Sequence, residues 1–123
     1  VNTYYIARLL ASEDATERAV AEAVGIVFPN QDTTGTHINI SGGGVVATAP
    51  NRDNAVRFLE YLTSDSAQRY FADGNHEYPV VEDLAGSPAL TSLGQFEADT
   101  LDAAELGEHQ AEAIMVFDRA GWK

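Results

Sequence analysis

The feature that most constrains the fold is an alternation between helical apolar stripes and very short apolar runs. Ile6, Leu9 and Leu10 recur at the i, i+3, i+4 spacing of one helix face. Short apolar or alternating runs follow and read as strands, at Val24–Phe28, His37–Ser41 and Val45–Thr48. Strands that alternate with helices predict an α/β protein. So few strands predict only a small mixed sheet with helices packed on it.

Capping residues predict where the helices begin and end. Asn2 and Thr3 are favourable N-cap types ahead of the first stripe, and the acids after Ser12 open a second helix. Asn51 and Ser64 precede two further helices. A last helical pattern covers residues 103–120, with Gly121 as its C′ residue, whereas residues 75–100 read as mostly irregular.

The composition excludes several classes of function. The 123 residues carry 19 acids and 7 bases, a net charge of −12, which argues against nucleic acid and anionic membrane surfaces as partners. No cysteine is present, so disulfides and thiolate sites are excluded. The apolar runs are too short for membrane insertion. Because the chain begins with Val1 and not with methionine, we interpret it as a processed product or a piece of a longer protein.

Two adjacent phenols, Tyr4 and Tyr5, fall in the first turn of the first predicted helix. A buried phenol needs a partner for its hydroxyl, so Leu or Ile would serve a simple core better. A phenolate is a hard anionic oxygen donor that matches ferric iron, and the metal charge lowers the pKa of such a ligand. Neighbouring helical residues point about 100° apart, so both phenols can reach adjacent coordination positions. On spacing alone, a partly buried aromatic pair remains the alternative.

A set of ordered motifs extends over essentially the whole chain. The stretches are NTYYIARLL, VGIVFPNQ, GTHINISGGGV, APNRDNAVRFLEYLTSDSAQ, GNHEYPV and LGEHQAEAIMVFDRAGW. Together they resemble the C-terminal part of the periplasmic ferric-iron-binding proteins that serve bacterial ABC transporters. The resemblance implies part of a two-lobed, type II (Venus-flytrap) solute-binding fold with iron in the cleft between the lobes. It implies a transport protein, not an enzyme, with the ABC transporter permease as partner.

The resemblance also implies roles for individual residues. Tyr4 and Tyr5 match the adjacent iron-ligand tyrosines, and Asn2 matches the residue that helps to hold a synergistic anion such as carbonate or phosphate. The remaining ligands would come from segments that precede this sequence. Residues 1–36 would belong to the ligand-binding lobe, residues 37–85 to the crossover and the other lobe, and residues 86–123 to a return segment with the C-terminal helix.

Two other functions compete with iron capture. One is a small acidic hydrolase that uses Glu77 or His76 near Tyr78, which only the residue types support. The other is a structural or interaction module without useful iron affinity, since two ligands cannot fill the coordination shell of ferric iron. A half-cleft with bare apolar surface also predicts that two copies pair as a homodimer.

Overall fold

The computed structural model describes residues 1–122, and these residues form seven helices. The helices are α1 (Thr3–Leu10), α2 (Ala15–Glu22), α3 (Arg52–Leu62), α4 (Asp65–Asn75), α5 (Pro88–Thr91), α6 (Ala103–Glu108) and α7 (Gln110–Ala120). The chain divides into two compact units, one of residues 1–27 and 39–95 and the other of residues 28–38 and 96–123. The predicted division at residues 36 and 85 is a different partition and stays a prediction.

The helix predictions are confirmed where a local capping residue marks the start. Asp14 caps α2 by accepting a hydrogen bond from the Thr16 amide at 2.7 Å, and Ser64 caps α4 through the Ala67 amide. Gly121 ends α7 with a φ of 65°, the left-handed conformation that glycine adopts without strain. The last predicted helix is in fact two, because α6 ends and α7 begins at His109.

The small mixed sheet is not confirmed in the described part of the chain. None of the three predicted strands forms a ladder, and the one isolated β-bridge within residues 1–122 is a parallel pair between Thr36 and Ala98. A strand is stabilised by hydrogen bonds to a neighbouring strand. Within residues 1–122, these apolar runs have no neighbouring strand with which to form a ladder. Their side chains stay largely in solvent, as at Val27 with 85% exposure.

The larger unit contains the buried apolar side chains of the described residues. These are mostly small, and Leu90 is the largest that is fully enclosed; the set is Ala7, Ala21, Ala67, Ala72 and Leu90. Within this unit α1 packs against α2 and α5, and α3 packs against α4. The first helix, which carries the tyrosine pair, is therefore held by two neighbours.

One buried amide fixes the loop that follows α4. Gln68, only 8% exposed, donates from Nε2 to the Leu62 carbonyl at 2.7 Å and accepts at Oε1 from the Val80 amide at 2.9 Å. A buried polar side chain is tolerated when both of its ends are hydrogen-bonded. Gln68 thereby ties the end of α3 to the segment that contains Glu77.

The smaller unit is assembled around a glutamine and a phenylalanine pair. Gln31 donates to the Glu97 carbonyl at 3.0 Å and accepts from the Glu97 amide at 2.7 Å. Phe28 and Phe96 stack with 4.4 Å between their ring centroids and 14° between their planes. These contacts hold residues 28–38 beside residues 96–99, and α6 and α7 follow.

Candidate functional site

The two tyrosines lie side by side at the amino end of α1. Their ring centroids are 4.4 Å apart and the ring planes are inclined by 44°. Tyr4 is half-buried and Tyr5 is 51% exposed. Ala7, one turn further along the same helix, is fully buried and anchors this end of α1 to the protein. The prediction that both phenols belong to the first turn is confirmed, and one of them is accessible from solvent.

Asn2 joins this pair through its side chain. Its Nδ2 donates a hydrogen bond to the hydroxyl oxygen of Tyr4 at 3.1 Å. Its backbone carbonyl accepts from the Tyr5 amide at 3.3 Å, which begins the helix. The structure therefore brings together the three residues that the sequence singled out.

The phenols of Tyr4 and Tyr5 are electrostatically unequal. A hydrogen bond from Tyr5 lowers the pKa of Tyr4, and the bond from Asn2 lowers it further. Partial desolvation and the negative charge of Glu77 act in the opposite direction. The pKa of Tyr5 is raised, first because its hydroxyl bonds to Tyr4 and then because a charged Tyr4 repels a second charge. Tyr4 is therefore the first of the two phenols to lose its proton as the pH rises.

Glu77, which the sequence offered only for the hydrolase alternative, also acts on the tyrosine pair by raising the pKa of Tyr4. Its half-buried carboxylate follows α4 and acts on Tyr4 across the larger unit. No spacing rule links a residue of the first helix to one so far along the chain. Among the described residues no cluster of three or more histidine, aspartate or glutamate side chains is arranged to hold a metal.

The residues of the hydrolase alternative have structural partners. His76 ends α4 in a left-handed conformation with a φ of 55°, and its Nδ1 lies 3.2 Å from the hydroxyl of Ser87. Ser87 is only 3% exposed and its Oγ accepts from the Leu90 amide at the start of α5. A serine that is buried and engaged as a helix cap is poorly placed to attack a substrate. Partial burial raises the pKa of the Tyr78 phenol, so Tyr78 stays protonated at neutral pH.

A family model for bacterial extracellular solute-binding proteins matches residues 5–98, most of the chain. The chain belongs to the bacterial extracellular solute-binding proteins. It is 49% identical to "Iron uptake protein A1" of Synechocystis sp., over 99% of this chain and 34% of that protein. The match begins at the second of the two tyrosines, so it covers α1 except for Thr3 and Tyr4.

Solved structures of this family resemble the chain over its whole length. The Trichodesmium protein IdiA (FutA), in complex with iron and citrate, has 49% identity and a TM-score of 0.90 over 100% of this chain and 39% of that one. The ferric binding protein from Campylobacter jejuni has 36% identity and a TM-score of 0.91, again over 100% of this chain and 39% of that one. The fold is therefore that of a segment of the type II solute-binding proteins, and the chain spans little more than a third of these relatives.

The lengths and compositions of the helices bear on membrane insertion. Within residues 1–122, no helix combines the length and the apolar composition of a membrane span.

Proposed function

We propose that this chain supplies part of the ferric-iron site of a periplasmic solute-binding protein that captures iron for an ABC importer. The observation that carries the proposal is the pair of phenols at the start of α1, with ring centroids 4.4 Å apart and one hydroxyl held by Asn2. The iron named for the relatives from Synechocystis and Trichodesmium supports this choice of cargo.

The chemistry of the proposed site follows from its donors. Tyr4 and Tyr5 bind ferric iron as phenolates, which are hard anionic ligands for a hard cation. The positive end of the α1 dipole lies at the same place and favours bound negative charge. Asn2 carries a second amide hydrogen besides the one donated to Tyr4, and we assign it to a synergistic anion such as carbonate or phosphate.

Capture needs more of the protein than this chain. Two phenolates leave most of the ferric coordination shell open, so the other ligands come from parts of the relatives' length that this chain does not span. On this proposal residues 1–36 lie in the ligand-binding lobe, residues 37–85 cross to the other lobe and residues 86–123 return. Closure of the two lobes shields the ion from hydrolysis, and protonation, reduction or opening at the permease releases it.

A second candidate concerns the chain by itself. Taken alone, the chain is a structural or interaction module without useful iron affinity, because two ligands are too few to fill the coordination shell of ferric iron. The exposed apolar side chains of α7, such as Ile114, Val116 and Phe117, each about half exposed, motivate the predicted homodimer. Neither the fold nor the relatives support pairing, so sedimentation at several concentrations decides it.

The experiment that tests iron capture is a ferric titration of the full-length protein followed by visible absorbance. Phenolate bound to ferric iron gives a charge-transfer colour that carboxylate and imidazole ligands do not give. We expect Tyr4→Phe and Tyr5→Phe each to weaken the band and the double variant to abolish it. Tyr70→Phe is the matched control, because Tyr70 is 74% exposed and also adjoins an aromatic residue, Phe71. A colourless parent protein, or a band that the double change leaves unaltered, refutes the proposal.

A further inference from the structure

Asn2 occupies the N-cap position of α1 without using its side chain as a cap. Its φ of −75° and ψ of 144° are those of a capping residue, yet its side chain makes no capping hydrogen bond. Other helices of this chain are capped by side chains in the usual way, at Asp14, Ser64, Ser87 and Asp102. Asparagine is among the best capping residues, so forgoing this bond leaves the start of α1 less stable than it would otherwise be.

The amide is directed to Tyr4 instead. Nδ2 donates to the phenolic oxygen at 3.1 Å, and the two residues are separated by only one position in the sequence. An amide N–H can only donate, and a phenolate oxygen can only accept. The contact is therefore compatible with both protonation states of Tyr4, and it strengthens when the oxygen becomes charged.

We propose that Asn2 is a positioning residue that holds the Tyr4 oxygen in its ligating place before any metal arrives, whether or not an anion is bound. The inference rests on the proposed function, since it takes Tyr4 as an iron ligand. It differs from an anion-holding role because it needs only the hydrogen bond within the protein. Tyr5, which is 51% exposed, has no such bond from Asn2 and is steadied through Tyr4.

Two consequences distinguish positioning from anion binding. Loss of a group that orients a metal ligand typically lowers metal affinity about 10–100-fold, and here that loss must persist in buffer free of carbonate, phosphate and citrate. A donated hydrogen bond also stabilises the electrons of a phenolate. Its removal therefore moves the phenolate-to-iron charge-transfer band to longer wavelength.

The test compares full-length Asn2→Leu, Asn2→Ser and Asn51→Leu with the unmodified protein. Leucine has nearly the shape of asparagine but cannot donate, and serine caps a helix but is too short to reach the Tyr4 hydroxyl. Asn51→Leu is the matched control, because Asn51 stands at the N-cap of α3 and likewise makes no side-chain capping bond. Ferric affinity is measured by competition with a chelator in anion-free buffer, and again with carbonate or phosphate added.

We expect both Asn2 variants to lose about 10–100-fold in anion-free affinity and to show the red-shifted band, with Asn51→Leu unchanged. Equal anion-free affinities of Asn2→Leu and the parent overturn the inference, as does a loss seen only when anion is added. Full affinity in Asn2→Ser beside a weakened Asn2→Leu also overturns it, because the defect then lies in the start of the helix. Failure of the proposed function looks different: the unmodified protein itself gives no charge-transfer band.

Discussion

Tyr4 and Tyr5 lie with 4.4 Å between their ring centroids. Tyr5 lowers the pKa of Tyr4, and Tyr4 raises the pKa of Tyr5. The hydrogen bond between the two hydroxyls is the largest cause in both cases. It favours a phenolate at Tyr4, which accepts, and disfavours one at Tyr5, which donates. Two adjacent residues of one type thereby become chemically distinct, and Tyr4 loses its proton at a lower pH than Tyr5.

This asymmetry predicts the result of a pH titration of the iron-free protein. In Tyr5→Phe the donor to Tyr4 is gone, so the pKa of Tyr4 rises toward that of an ordinary phenol. In Tyr4→Phe the pKa of Tyr5 falls toward the same value. Ring resonances of isotope-labelled tyrosine, followed by NMR against pH, measure both. A Tyr4 pKa that falls or stays constant in Tyr5→Phe contradicts the asymmetry.

The ionisation of the two phenols also makes the affinity for ferric iron depend on pH. A phenol must lose its proton to ligate, so ferric affinity rises with pH until both phenols are ionised in the absence of metal. Each variant that lacks one phenol releases one proton fewer on binding. The steepness of affinity against pH, measured by chelator competition, is therefore lower in Tyr4→Phe and Tyr5→Phe than in the parent or in Tyr70→Phe. Equal slopes in all four proteins would show that the phenols are not ligands.

The carboxylate of Glu77 gives a second electrostatic prediction. Its negative charge raises the pKa of Tyr4, so Glu77→Gln lowers the pKa of Tyr4 in the iron-free protein. The difference in Tyr4 pKa between the variant and the parent decreases with added salt, because dissolved ions screen the charge of Glu77. Glu82→Gln is the control, because it makes the same change in net charge at an exposed loop position. An identical shift in both variants would assign the effect to net charge and not to Glu77.

The helices could be read from the sequence because their signals are local. Ser64 and Asp14 mark helix starts through bonds to amides two or three residues away, and Gly121 marks an end through its own conformation. Strands carry no comparable local signal. Val24–Phe28 has a strand-like composition, but a strand is completed by a partner elsewhere in the chain, and residues 1–122 provide none.

The features of the candidate site likewise fall into those that the sequence could predict and those that it could not. The adjacency of Tyr4 and Tyr5 is visible in the sequence, and so is their place in a first turn. The use of the Asn2 amide is not, because capping statistics predict that it bonds to the helix backbone and not to a phenol. The influence of Glu77 depends on how α4 and the following loop return toward α1, and tertiary packing determines that.

The loop that carries Glu77 depends on the buried amide of Gln68, which gives a prediction about stability. Gln68→Leu removes the acceptor of the Val80 amide and the donor to the Leu62 carbonyl. We expect the free energy of unfolding to fall by about 1–3 kcal/mol, because groups that lose a partner away from water keep their desolvation cost. Urea denaturation of the full-length protein measures it, with exposed Gln110→Leu as control. Equal losses in both variants would show that the two hydrogen bonds of Gln68 are dispensable.

Gly35 gives the corresponding prediction for the smaller unit. Its φ is 84°, and a Cβ built on it lies 2.7 Å from the backbone carbon and oxygen of Ala98. This close approach accompanies the bridge in which the Thr36 amide donates to the Glu97 carbonyl and the Asp99 amide donates to the Thr36 carbonyl, both at 2.8 Å. A side chain at position 35 meets backbone atoms, which cannot rotate away as a flexible side chain can.

We therefore expect Gly35→Ala to lower the free energy of unfolding by roughly 1–3 kcal/mol, from the left-handed backbone strain together with the displaced bridge. Gly42→Ala is the matched control, because a Cβ added at Gly42 meets no atom within 4 Å and its backbone has no positive φ. Hydrogen exchange at the Thr36 and Asp99 amides locates the damage, and both should exchange faster in Gly35→Ala alone. Unchanged protection of these amides would mean that residues 35 and 98 can separate without breaking the bridge.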